Sequence, residues 1–522
     1  MSSVEIVSTA PSGMVIPKMV STSKHIVKNV RYHRIPADAN VNYTYSGNNR
    51  ISFTISSTDS FWDPSESFLQ FEYSTTCTGT GDSTTNFRGT AAAGVNEAGL
   101  SGSWSKGGAH CAIRSLTCET QSGVLIEHIN EYGRLFGLVS ASTESRQYVD
   151  LIGSRYHDSC QQYWEGDGLT YEDVKAVDVN ATSVNGTAWG PLLQFQQATG
   201  GANQANIISG QPLRRSARAY AGANGASSQQ VCLKLMSGFL NLSFVPLQYI
   251  RQGIRIHLDL QNPELALVLG TQPTNADVRM NYTITNPIMH CRFIMPDAAI
   301  KQQYDKALQN GMLNFEFDSF GYSGYQHNGA IGTIQYTIPV SKRSVKNVFV
   351  VAQNRRANAQ AVTADAFSSS NYDMNNFIRA NVTSYRFQHA SDYYPSLPIT
   401  IASGGTSISN ASALEALLQC WGKSTSLYDK VRFKPSEWNS LSSDSGNANE
   451  CQSLVMSFPL ARDMGSEFTG LDTSNSNQLI VELVCAGAQY QINAVNENIY
   501  FHNFVQYNNI LSITPLGVVI RS

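Results

Sequence analysis

Apolar and polar residues alternate with period two through much of the chain. Ile51, Phe53 and Ile55 alternate with Ser52 and Thr54. Leu69, Phe71 and Tyr73 alternate with Gln70 and Glu72. Ile254, Ile256, Leu258 and Leu260 alternate with Arg255, His257 and Asp259, and Ile334, Tyr336 and Ile338 with Gln335 and Thr337. Successive side chains of a strand point to opposite faces, so each run predicts a strand with one apolar face. Strands of that kind pack face to face as a sandwich, the polar set meeting solvent or a neighbour. The run from Leu479 to Cys485 is nearly continuous in apolar residues and predicts a more deeply buried strand.

Helical spacing is rarer. Ile126, Ile129, Tyr132, Leu135, Phe136 and Val139 follow it, with Glu127 where a helix N-terminus favours negative charge. Asp297 after Pro296 predicts an N-cap for a helix carrying Ile300, Tyr304 and Leu308 and stopping at Gly311. Ser412 and Glu415 have capping-box spacing ahead of Leu417, Leu418 and Trp421, with Gly422 as the stop. Three short helices among many strands predict an all-β chain with insertions, not an α/β repeat. Long Gly/Ser/Thr/Asn stretches at residues 77–108, 180–190, 198–210 and 357–370 exceed ordinary hairpin loops. A boundary is predicted where a strand-like run ends and a helix begins, at Met295-Pro296-Asp297. The halves then span residues 37–295 and 296–522, behind a leader of residues 1–36. They share a coarse order of elements and no residue-level repeat.

Composition changes this picture in one way. Charged residues make up 14% of the 522 residues, against roughly 25% in ordinary soluble domains. A surface so poor in charge implies cover by other protein subunits. The net charge of −3 speaks against bulk electrostatic binding of nucleic acid. Nine cysteines without CxxC pairs predict reduced thiols and assembly inside a cell. No signal peptide and no apolar run of membrane-spanning length is read from the sequence.

Four stretches resemble segments of double jelly-roll major capsid proteins, the group that includes virophages, polinton-like viruses and giant-virus shells. Residues 51–73 (ISFTISSTDSFWDPSESFLQFEY) resemble the opening strand, acidic-Pro-Ser element and second strand. Residues 113–139 (IRSLTCETQSGVLIEHINEYGRLFGLV) resemble the strand, Gly turn, Ile-Glu pair and short Tyr-bearing helix. Residues 233–260 (LKLMSGFLNLSFVPLQYIRQGIRIHLDL) are the most specific match, with a Ser-Gly turn, a Pro-Leu pair, a Gly and a clean strand that closes the first jelly roll. Residues 458–519 resemble the last strands of the second roll, including the aromatic-rich YFHNFVQYNNILSITPLGVV; Tyr393-Tyr394-Pro395 with Leu397-Pro398-Ile399 is a weaker match. The order of the matches carries the resemblance. Length and motif style point toward the small double-stranded DNA viruses.

The resemblance implies two consecutive eight-stranded jelly-roll sandwiches, a few short inserted helices and long loops. It implies a major capsid protein of the virion, assembled inside the host cell. Three chains form a pseudo-hexameric capsomer that tiles an icosahedral shell. Its partners are copies of itself, penton proteins and minor or cement capsid proteins. No cofactor, metal or catalytic residue is expected. The basic leader, with Lys18, Lys24, Lys28, Arg31 and Arg34 against Glu5, is a candidate inner-face arm toward genome, inner membrane or an acidic minor protein. A solvated or partner-packed leader is the plainer reading. Trp104 and Trp189 are candidate interface anchors or caps on their own domain's core.

Catalytic patterns are weak. GxSxG, HExxH, GxxxxGK[ST] and a helix-bound GxGxxG do not occur. His157-Asp158 near Cys160 reads more simply as a surface pair than as a nucleophile and base. Glu165 and Asp167 are carboxylates that any acidic chain offers, and residues 463–472 lack EF-hand spacing. The rival class is a viral fibre, receptor-binding or lectin-like β-sandwich protein. A fibre shaft would carry short repeats, and a lectin would be one roll rather than two.

Overall fold

The structure is a computed structural model. It describes residues 27–39, 41–78, 107–143, 227–250, 252–269, 279–327, 332–354, 382–401, 411–422, 454–461, 469–475, 478–485 and 499–521. It also describes residues 374, 375, 377 and 380 and a few short strand pairs, including Gly102–Trp104 against Leu267–Leu269.

The first half has eight principal strands: β1 (Val27–Pro36), β2 (Arg50–Ile55), β3 (Phe61–Thr78), β4 (Ile113–Thr120), β5 (Leu125–Asn130), β6 (Ser227–Leu233), β7 (Ile254–Leu260) and β8 (Arg279–Pro296). They form two antiparallel four-stranded sheets, in the orders β6-β3-β8-β1 and β2-β7-β4-β5. Helix α1 (Tyr132–Thr143) follows β5, and α2 (Ala298–Asn310) follows β8. The second half contains β9 (Leu313–His327), β10 (Thr333–Ile338), β11 (Val345–Asn354), β12 (Val382–His389), β13 (Asp392–Thr400), helix α3 (Ala411–Cys420), β14 (Met456–Pro459), β15 (Leu479–Cys485), β16 (Ile499–Thr514) and β17 (Gly517–Arg521). Its sheets run β9-β16-β11-β14, with β17 added on β16, and β10-β15-β12-β13.

The two strand paths coincide. Numbered within each half, both read first-eighth-third-sixth in one sheet and second-seventh-fourth-fifth in the other. In both, a helix follows the fifth strand. The residue sequences of the halves do not repeat, yet their topologies do.

The alternating runs explain these sheets. In β7, Ile254, Ile256, Leu258 and Leu260 are all at most 2% exposed, and Ile256 lies between Phe53 of β2 and Cys118 of β4. In β10 the buried residues are Ile334, Tyr336 and Ile338, as the alternation predicts. Asp297 caps α2, accepting from the Ala299 N–H at 3.4 Å, and Gly311 ends that helix.

Three expectations are corrected. Helical spacing from Ile126 does not make a helix there: Leu125–Asn130 is a strand, and α1 begins at Tyr132. Glu127 therefore belongs to a strand and is no helix-terminal charge. Ser412 lies inside the first turn of α3, which begins at Ala411, so it does not cap it. In β15 the burial still alternates, and Val484 is 37% exposed; the outward positions are Ile480, Glu482 and Val484, so two of the three carry apolar side chains.

Candidate functional site

The chemistry of this chain lies in contacts between elements, and the richest set joins its two halves. Glu127 on β5 is 2% exposed. Its carboxylate accepts from the Ser237 hydroxyl and from the N–H groups of Gly238 and Phe239 at 3.3 and 3.2 Å. Three donors convergent on one buried carboxylate hold the turn after β6 in place. That turn touches the second half directly. Phe239 meets Phe317 of β9 edge to face at 6.0 Å, and Gly238 lies against the Asp318 carbonyl.

Beside it, α1 offers a face of small residues to the second half. Gly133 and Gly137 are one helical turn apart; a Cβ on Gly133 would meet the Cys111 backbone and the Met374 methyl, and the space over Gly137 is filled by Asn375. Its amide donates to the Gly133 carbonyl and the Cys111 Sγ, both at 3.4 Å. Arg134, 1% exposed, crosses the same seam. Its Nε donates to the Met374 carbonyl at 3.1 Å, while a terminal nitrogen pairs with Glu131. The Met374 carbonyl also accepts from the Gln353 amide at 2.7 Å. The Gln353 carbonyl oxygen accepts from His502 Nε2 at 3.1 Å, and His502 Nδ1 accepts from the Tyr322 hydroxyl at 2.9 Å. These bonds assign the proton of a neutral imidazole to Nε2. Burial and then the nearby Arg134 charge hold His502 well below its ordinary range, so the ring stays neutral.

Strand β16 carries much of this seam. Both of its alternating side-chain sets are buried along nearly its whole length. Several of its buried polar residues are paired across the seam. Asn503 accepts from the Tyr336 hydroxyl at 2.7 Å and donates to the Ser323 carbonyl at 3.1 Å. Asn508 accepts from Ser344 and donates to Asp318, both at 2.9 Å. Around these groups a single apolar cluster runs from Phe53 and Trp62 to Phe349 and Phe504. The two halves therefore share one core.

Burial pushes the Glu127 carboxyl above its ordinary range, and the donors around it pull it back only in part. A carboxyl raised on folding contributes stability that is complete below its unfolded value and lost as pH rises through the folded one. Denaturant titrations of the native chain and Glu127→Gln should therefore diverge in favour of the native chain as pH falls from about 7 to about 5. A pH-independent difference would remove the assignment.

Trp104, one candidate anchor, is 1% exposed and wedged between Tyr73 and Tyr282, with ring centroids 5.0 and 5.2 Å away. It packs within the core of its own half. Lys28, Arg31 and Arg34 are exposed on β1, the outermost strand of its sheet. Lys18 belongs to a two-residue strand whose side chains are outside the described set. Lys24, Trp189, His157, Asp158, Cys160, Glu165 and Asp167 lie outside the described residues. Glu127, Arg134, Asn375 and His502 were not singled out as site residues by the sequence. The available signal was a lone carboxylate within an apolar strand and a lone charge within the helix YGRLFGLVSAST.

No protein-family model matches the chain, and no curated protein matches it. Solved structures do. A chain of the Sputnik virophage, from its structure by cryo-EM, aligns over 99% of this chain and 93% of its own, with a TM-score of 0.57 and 12% identity. The chain has the double jelly-roll fold. PBCV-1 VP54, fitted into a reconstruction of the same virophage, aligns over 97% of this chain and 99% of its own at a TM-score of 0.49 and 9% identity. The Faustovirus major capsid protein covers 96% of this chain and 93% of its own at 0.45 and 11%. The fold assignment rests on the first of these and on the strand order. The seam then has a plain physical meaning: it locks two jelly rolls of the same topology into one block.

Outside the block, several large apolar side chains meet solvent. Leu397 on the edge strand β13 is 79% exposed, Leu516 at the β16–β17 turn 96%, and Tyr32 on β1 76%. The neighbouring Tyr393 ring lies 3.9 Å from the Arg386 guanidinium, a cation–π contact at the same edge.

Proposed function

We propose that this chain is the structural major capsid protein of a virion, and that it works as a trimer. The observation that carries the reading is the pair of same-topology jelly rolls joined by a buried polar and apolar seam. One such chain is a rigid two-lobed block, and three around an axis present six sandwiches in a pseudo-hexagonal outline. A closed shell then needs only repeated contacts between such blocks. The likeness to the virophage chain over nearly its full length supports the reading. The domain division at residues 295 and 296, between β8 and α2, belongs to it, as do penton and minor capsid proteins as further partners. Assembly within the host cell and location in the virion follow from the same role. The work is mechanical, not catalytic.

Electron microscopy and light scattering of the purified chain test this. Trimers with a hexagonal outline, or icosahedral particles, are expected. A monodisperse monomer with affinity for glycans would overturn the proposal in favour of a lectin-like binding protein. Leu397→Asp gives a finer test. The side chain is exposed, so folding stability should change by less than about 0.5 kcal/mol. Particle yield should fall if this edge lies between subunits, because an interface buries such residues.

A further inference from the structure

The free edge of β1 has an ordered chemistry. β1 pairs with β8 on one side, Tyr32 opposite Arg292 and Arg34 opposite His290. Among the described residues no strand pairs with its other side. The Ala37 N–H donates to the Pro287 carbonyl at 3.1 Å, which sets the phase of the ladder. In an antiparallel pair the backbone groups point alternately toward and away from the partner. Asn29, Arg31, His33 and Ile35 therefore turn their N–H and C=O groups toward β8. Val30, Tyr32 and Arg34 turn theirs to the open edge.

The side chains along that edge are basic on both faces of the strand. Arg34 lies on one face with Tyr32, and Arg31 and His33 on the other; Lys28 sits at the register shift near the strand's start, and all five are exposed. The nearest acidic groups are few. Asp59 faces Arg31, Asp63 is already paired with Arg292, and Asp38 lies beyond the strand's end. Charge on an edge strand can serve only to repel other strands. Here it selects by sign. A second copy of β1 would set cation against cation, which destabilises cross-strand pairs, whereas carboxylates would meet cations.

We propose that β1 is a docking edge for an extended acidic segment of another protein, which adds as a strand beside β1. Backbone bonds to Val30, Tyr32 and Arg34 supply the grip, and Arg31 and Arg34 the preference for acid. The proposal does not depend on the capsid role, since a binding assay on the purified chain reads it directly.

The test uses the full chain and a fluorescent eight-residue peptide of alternating glutamate and valine. The alternating lysine–valine peptide and a short DNA duplex serve as comparisons. The acidic peptide should bind and the basic one should not. Arg31→Gln with Arg34→Gln should weaken binding by roughly tenfold. Tyr32→Pro removes an outward N–H and leaves the β8 ladder intact, a position edge strands tolerate, and should weaken binding by roughly tenfold or more. Hydrogen exchange gives a readout that needs no variant. The acidic peptide should newly protect the Val30, Tyr32 and Arg34 amides, while those of Arg31 and His33 are already protected. Binding of DNA as tight as that of the peptide, with Tyr32→Pro harmless to both, would overturn the proposal and leave a general polyanion surface. Peptide binding without new protection of these three amides would overturn it too.

Discussion

Gly238→Ala is expected to open the seam between the two jelly rolls. The backbone of Gly238 is helical, with φ −64° and ψ −42°, a conformation any residue adopts. Conformational freedom is therefore not why glycine stands there. Space is: a Cβ at this position would lie 1.7 Å from the Asp318 carbonyl oxygen and 2.7 Å from its carbonyl carbon. Both are backbone atoms of β9, held in a fifteen-residue ladder with β16. They cannot swing aside as a side chain would, so the turn must retreat from the second half. Retreat also pulls the Gly238 and Phe239 N–H groups from Glu127 and separates Phe239 from Phe317. Overpacking in a core costs about 1–3 kcal/mol, and lost buried hydrogen bonds add about 1–3 kcal/mol. A loss of roughly 3 kcal/mol or more is expected in denaturant unfolding. The native chain should unfold in a single transition, and the variant in two, because its halves would no longer share one core. Gly332→Ala is the control, since nothing lies within 4 Å of its Cβ position. Equal stability of the two variants would show that the seam tolerates the strain.

Arg134→Ala should do comparable damage by the opposite route, removal instead of crowding. Arg134 is among the largest fully buried side chains. Its loss leaves a void under α1, leaves the Glu131 carboxylate without its partner and cuts the bond to the Met374 carbonyl. Breaking a buried charge pair from one side costs about 3–5 kcal/mol. Glu131 keeps some contact with water, its side chain being 18% exposed, so a value near the lower end is expected. Arg134→Lys should fall between, because one ammonium cannot serve both Glu131 and Met374. Unfolding midpoints of the three proteins check the order. If the chain forms the proposed trimer, its formation should weaken in the same order, because such a unit needs a rigid subunit. A stable Arg134→Ala chain with normal assembly would remove the seam from the functional argument.

The helix-like reading of residues 126–139 shows why part of the site was not legible. β4 and β5 pair with a register shift: Cys118 lies opposite Glu127, and Glu119 opposite Leu125. The bulge leaves Ile126 as an extra residue, so Ile126 and Glu127 are both buried in succession. That breaks the two-residue period from which a strand is recognised. Ile126, Ile129 and Tyr132 then happen to fit a helical spacing. A bulge belongs to the pairing of two strands and cannot be recognised from either strand alone. The same holds for Asn375, which meets α1 only because the chain returns across a separation of 242 residues to donate to Gly133.

The sequence by itself determined the cleanly alternating strands and the class of fold. Period two is a property of neighbouring residues, and the buried faces of β2, β7 and β10 follow it residue by residue. It also determined the cap of α2 by Asp297, a contact two residues long. Tertiary structure alone decided three things. It showed that the halves follow one strand path, although their residues do not repeat, because topology is kept by pairing order and not by side-chain identity. It placed the polar seam of Glu127, Arg134, Gln353 and His502, since a buried polar or charged group is stable only where it is paired, and most of these partners come from distant segments. And it turned the last residues of a basic leader into the edge strand β1, because only the ladder with β8 fixes which backbone groups are left facing outward.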